Sequence, residues 1–148
     1  SSNIPIHEDC ARCFNDMKIN KKYGYMIMSI KDKKEVVIDE VGKPFPPDCT
    51  QRENEEVFNR LRERILAKEQ EPKYLLFDFK LETSDGRREK IAFINWCSDN
   101  CLVDKKMVQS STADALKKVL QGVSAHIQAN DADELEYNEI AREVTRKK

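Results

Sequence analysis

Glycine and histidine are scarce in this chain, with four Gly and two His among 148 residues. The Gly are scattered, so no Gly-rich loop is available to cradle a phosphate. His7 and His126 form no paired arrangement with a Ser or Cys nucleophile, which removes the usual signature of covalent catalysis. An excess of one charge is also lacking: 26 Lys and Arg stand against 27 acidic residues, for a formal net charge of −1. The chain as a whole therefore attracts neither nucleic acid nor an anionic membrane, and any electrostatic partner must meet a local patch. No apolar stretch approaches the roughly 20 residues of a membrane span. The N-terminal SSNIPIHED has neither the basic start nor the apolar middle of a signal peptide. These absences lead us to expect a monomeric cytosolic protein with no cofactor, no resident metal, no nucleic-acid partner, no transmembrane segment and no enzymatic activity.

What is present fits one domain with a core and a charge-rich surface, at 39% hydrophobic and 36% charged residues. Five Cys is an odd number and argues for reduced thiols rather than a disulfide framework. Cys10-Ala-Arg-Cys13 and Cys97…Cys101 leave open a redox pair or a four-thiolate zinc site. Against both, Cys10 and Cys13 share a helical stripe with Phe14 and Met17, which reads as core packing.

Hydrophobic period gives the order of elements. Residues 7–19 carry Cys10, Cys13, Phe14 and Met17 at i, i+3, i+4 and i+7, an amphipathic helix preceded by a mobile tail over 1–6. Tyr23 to Ile30 and Glu35 to Val41 read as strands joined by the turn Lys31-Asp32-Lys33-Lys34. Val57, Phe58, Leu61 and Ile65 recur with helical period between Gln51 and Gln70. Tyr74 to Leu81 and Lys90 to Cys97 read as apolar strands joined through Ser84-Asp85-Gly86-Arg87, where Asp-Gly signals a hairpin. Their near-continuous apolar character predicts burial on both faces, hence helices on both sides of the sheet. A helix over 104–121, a strand from Val123 to Gln128 and a helix from Tyr137 to Arg146 complete the chain.

The helix over 104–121 departs from a plain amphipathic pattern. Its expected core stripe is Val108, Thr112, Ala115, Leu116 and Val119. Met107 falls outside that stripe, on the face of Ser111, Asp114, Lys118 and Gln121, with Lys105 and Lys106 before it and Lys117 alongside. A shape-adaptable Met framed by cations suits a contact point, although single exposed apolar residues are common on any surface. A second basic site is the hairpin Arg87, Arg88 and Lys90.

Phe14-Asn15-Asp16-Met17-Lys18 in a first helix resembles the ADF/cofilin family of actin-binding proteins. The resemblance extends through YLLFDFKLETSDGRREKIAFINW (74–96) and KKMVQSSTADALKKVLQGV (105–123), and the order of elements is the family's order. It implies an α/β fold, a single ADF-homology domain spanning 1–148 with a mixed sheet of about five strands flanked by helices on both faces. It also implies that the protein binds monomeric and filamentous actin, favours a twisted filament arrangement, and so promotes severing and depolymerisation without cutting any bond.

The same resemblance divides the binding surface. A part used for monomer and filament alike would comprise Ser2, Asn3, Ile4, Ile6, Lys105, Lys106, Met107, Ser111 and Lys118. A filament-specific part would comprise Arg87, Arg88 and Lys90 of the hairpin with Arg142, Glu143 and Arg146 of the last helix. Ser2 stands in the place of the family's regulatory phosphoserine, where added negative charge would repel acidic actin. Lys105, Lys106, Lys117 and Lys118, with the Arg87-Arg88 turn, are candidate phosphoinositide ligands. Asp104 departs from the family by replacing a basic residue at the start of the long helix. The family's long basic run in the first strand is missing, so entry into the nucleus would rest on small size or a partner. Two alternatives remain: a protein of this fold that binds the actin-related branching complex or filament sides without severing, and a thiol or zinc protein using Cys10, Cys13, Cys97 and Cys101.

Overall fold

The structure, a computed structural model, describes residues 4–146. Ser2 and Asn3, expected in the binding surface, lie outside the described residues. The elements are α1 (Glu8–Lys18), β1 (Tyr25–Lys31), β2 (Glu35–Val41), α2 (Gln51–Ala67), β3 (Lys73–Thr83), β4 (Gly86–Trp96), α3 (Val103–Val119), β5 (Ala125–Ala129) and α4 (Tyr137–Arg146). The strands form one sheet in the order β2-β1-β3-β4-β5, antiparallel except for the parallel β4–β5 pair. The expected mixed α/β sheet is therefore present.

Strand alternation builds a core on each face. On β3, Tyr74 and Leu76 pack with Met26, Met28, Ile91 and Phe93 under α1 and α3. Leu75, Phe77 and Phe79 point the other way and pack with Phe58, Leu61, Tyr137 and Ile140 of α2 and α4. Phe58 meets Phe77 edge-on at 5.1 Å between ring centroids and Tyr137 at 5.7 Å, joining both helices to the sheet. At the open end of β3 the alternation delivers charge: Lys80 and Asp78 are buried and pair at 2.9 Å.

Local chemistry sets the boundaries. Thr50 and Glu53 form a reciprocal capping box that starts α2. The His7 side chain accepts from the Asp9 backbone N–H at the start of α1. The β1–β2 turn runs through Asp32 and Lys33 at φ 54° and 59°, the left-handed pair a tight hairpin needs. In the β3–β4 turn, Gly86 takes φ 106° as the residue that re-enters the ladder opposite Thr83.

Two sequence expectations are corrected. Residues 5 and 6, expected in a mobile tail over 1–6, are pinned: Ile6 bridges Val36 in parallel, and Val36 donates to the Pro5 carbonyl at 2.9 Å, so both lie along the free edge of β2. Ile4 packs partly buried against the α1/α3 core. On α3 the buried residues are Gln109, Thr112, Ala113 and Leu116 rather than the stripe Val108, Thr112, Ala115, Leu116 and Val119; Val119 is exposed. The helix is rotated from its apolar optimum because Gln109 finds polar partners on the sheet.

Candidate functional site

The N-terminal end of α3 presents an apolar patch. Leu102 is 63% exposed, Val103 70% and Met107 67%, all within one turn or so of the helix start. The sequence reading found Met107 but missed Leu102 and Val103, which fall before the periodic stripe. Leu102, Val103 and Met107 thus place three exposed apolar side chains within about one and a half turns.

The lysines beside it are held unequally. Lys105 donates from Nζ to the Gln70 carbonyl at 2.8 Å and is half-buried, and Lys106 is half-buried as well. Asp104 accepts from the Lys105 backbone N–H and pairs with Lys33 at 3.8 Å, tying the β1–β2 turn to the helix start. A groove of about 310 Å³, lined among others by Ile30, Lys33, Lys73, Asp104, Lys105 and Val108, runs under this end. Farther along, Ser111 is half-buried and Lys118 exposed, on the same outward side as Met107. The structure brings Ile4 and Ile6 to the same side of the sheet as α3. Lys117 pairs with Asp114 at 3.9 Å. The pairs Lys105–Lys106 and Lys117–Lys118 sit about 18 Å apart along the helix at 1.5 Å per residue, so they form two cationic points rather than one pocket.

The clamp that sets this helix is polar. Gln109 is buried, and its Nε2 donates to Asn95 Oδ1 at 3.0 Å and to the Lys73 carbonyl at 3.2 Å. Tyr74 donates from its hydroxyl to the Gln109 carbonyl at 2.7 Å, and burial pushes the phenol well above its ordinary value.

The second cluster occupies the β3–β4 hairpin and α4. Alternation along β4 puts Arg88 and Lys90 on one side and Arg87 and Glu89 on the other. Lys90 reaches α4, donating from Nζ to the Val144 carbonyl at 3.5 Å, and Arg88 is exposed. On α4, Arg142 pairs with Glu139 at 2.7 Å and Arg146 pairs with Glu143. Arg87 is separate from this group: it donates to the Cys49 carbonyl at 2.6 Å and pairs with Glu82 and Glu89. The two clusters are far apart. Lys105 is anchored at Gln70, just before β3, whereas Arg88 pairs with Leu81 near the other end of that strand. Eight residues of strand separate them, about 27 Å.

Two of the thiols are shifted away from reactivity. Cys10 lies in the core under α1, and its burial pushes the thiol up to about 11. Cys97 is likewise raised to about 11, by burial and then by neighbouring Cys101. Both shifts run opposite to those of nucleophilic or metal-binding thiolates. Among the described residues no three His, Cys, Asp or Glu side chains are grouped as a metal site requires. Among the same residues no helix is long and apolar enough to cross a membrane.

Known proteins share this fold. A family model described as cofilin/tropomyosin-type actin-binding protein matches residues 3–145. The cofilin of Gibberella zeae is 35% identical over 148 residues, covering 98% of this chain and 95% of its own length. The solution structure of ADF/cofilin from Trypanosoma brucei superposes with a TM-score of 0.72 at 34% identity, covering 97% of this chain and 95% of that one. Actin depolymerization factor 2 of Plasmodium berghei superposes with a TM-score of 0.83 at 21% identity over 98% of this chain and 99% of that one, a likeness of fold.

Proposed function

The chain belongs to the cofilin/tropomyosin-type actin-binding family, and on that premise we propose that it binds monomeric and filamentous actin and promotes filament severing and depolymerisation. The observation that carries this reading is the exposed trio Leu102, Val103 and Met107, with Lys105 and Lys106 beside it, at the start of a helix. An apolar anchor ringed by cations suits a partly apolar cleft on an acidic partner: burial supplies affinity and the rim charge supplies orientation. Ile4, Ile6, Ser111 and Lys118 extend that surface.

Arg88 and Lys90, with Arg142, Glu143 and Arg146 of α4, are the filament-specific half. Their distance from α3 supports simultaneous contact with two neighbouring actin subunits. A ligand that fits one twisted relation of two subunits better than the straight one stabilises that twist, and breakage follows at the borders of decorated stretches. No reaction is catalysed. Cosedimentation with filaments, together with monomer nucleotide exchange, tests the reading: binding in the first and an altered rate in the second are expected, and failure of both would dispose of it.

Two regulatory readings belong here. A phosphate on Ser2 would add about −1.5 to −2 charge a few residues before Ile4 and weaken binding to an acidic partner. The two lysine pairs of α3 would let anionic lipid headgroups compete with actin, because the same cations serve both. Vesicles carrying phosphoinositides should therefore displace the protein from monomers.

A further inference from the structure

Arg87 belongs to the basic hairpin in the sequence but not in space. Its guanidinium is sunk rather than presented: the side chain is 28% exposed, against an exposed Arg88. Nη1 donates to the Cys49 carbonyl at 2.6 Å and meets Glu82 at 3.2 Å, while Nε meets Glu89 at 3.1 Å. Glu89 in turn meets Lys80, 3.4 Å away, and Lys80 pairs with buried Asp78. This chain of charges runs from the strand interior to the turn and ties the hairpin to the residue just before the Thr50 cap of α2. Only a planar fork with several donors can serve a carbonyl and two carboxylates together.

We propose that Arg87 is a positioning residue for the filament-binding half of the surface: it fixes the twist of the β3–β4 hairpin so that Arg88 and Lys90 project together beside α4, and it does not itself touch actin. The proposal rests on the actin reading above and deepens it. Two-residue hairpin tips otherwise fray and twist freely, and a cation presented on a loose tip pays ordering entropy at each encounter. The Arg87 network covers the side of β4 opposite Arg88, so it can hold the tip without competing for the partner.

The test compares Arg87→Ala, Arg87→Lys and Arg88→Ala in filament cosedimentation at several salt concentrations, with monomer binding measured in parallel. A residue that touches the partner by charge makes binding less salt-dependent when it is removed. A positioning residue lowers affinity and leaves the salt dependence as it was. We expect Arg87→Ala and Arg87→Lys both to lose about tenfold in filament affinity with the wild-type salt dependence and unaltered monomer binding. Arg88→Ala should lose affinity with a shallower salt dependence. Filament binding restored in Arg87→Lys would overturn the proposal, since retained charge would then suffice, as would a shallower salt dependence in Arg87→Ala. If Arg87→Ala does not fold, Glu89→Gln removes one partner of the fork while keeping the Cys49 contact, and a smaller loss with the same salt dependence is expected; wild-type filament affinity in that variant would equally overturn the proposal. Wild-type cosedimentation in the same experiment separates this outcome from failure of the actin reading itself.

Discussion

The Gln109 side-chain amide donates to Asn95 Oδ1 across 3.0 Å, joining α3 to β4 inside an otherwise apolar layer. Both residues are buried, so water cannot replace either partner cheaply. This bond, and the Tyr74 hydroxyl on the Gln109 carbonyl, set the rotation of the helix that carries Met107.

Gln109→Leu keeps the volume but leaves Asn95 Oδ1 unpaired in the core. We expect a loss of about 2 kcal/mol in urea unfolding. Weaker monomer binding should accompany it, because α3 is then free to turn Val108 inward and carry Met107 with it. An unchanged urea midpoint would contradict the clamp.

Met107→Ala removes an apolar α3 side chain that is 67% exposed, without touching the core. Stability should stay within about 0.5 kcal/mol. Affinity for actin monomers, read by a fluorescence titration, should fall by about tenfold if the side chain is a buried anchor in the complex. A loss in thermal stability with intact binding is the opposite of what we expect.

Much of this was legible beforehand, for physical reasons that differ by element. The period of α1 and the near-continuous apolar run of β3 reported the fold directly, because Phe14 and Met17 pack where their period places them and Tyr74 and Phe77 are buried on opposite faces of the sheet. Helix α3 was misread by one position, since its register follows hydrogen bonds of Gln109 that no hydropathy pattern records. The odd position of Arg87 was readable: in a hairpin the period of two separates residue 87 from residues 88 and 90. Its grip on Cys49, nearly forty positions back, was not. The pinning of residues 5 and 6 to Val36 is also a long-range pairing with no local signal.

The raised Cys10 thiol carries a pH dependence with a definite sign. Its pKa is about 11 in the folded protein against 9.0 ordinarily, so the fold retains a proton that the unfolded chain releases. That stabilisation is fully present below pH 9 and is lost as the pH rises through about 11. Urea midpoints measured across this range should fall less steeply for Cys10→Ala than for the wild type. Thiol titration at neutral pH should find Cys10 and Cys97 slow to react, and metal analysis should return no stoichiometric zinc. Fast labelling or bound zinc would reopen the thiol alternative.

The most direct measurement of the central claim is single-filament imaging beside monomer titration, for the wild type and for two double variants, Lys105→Ala with Lys106→Ala and Arg88→Ala with Lys90→Ala. The wild type should fragment labelled filaments. The first double variant should lose monomer binding and fragmentation together, and the second should lose fragmentation while holding monomers nearly as well as the wild type. Filaments that stay intact with the wild type, or a hairpin variant that loses monomer binding as severely as the helix variant while still folded, would contradict an actin-severing protein with two separable surfaces.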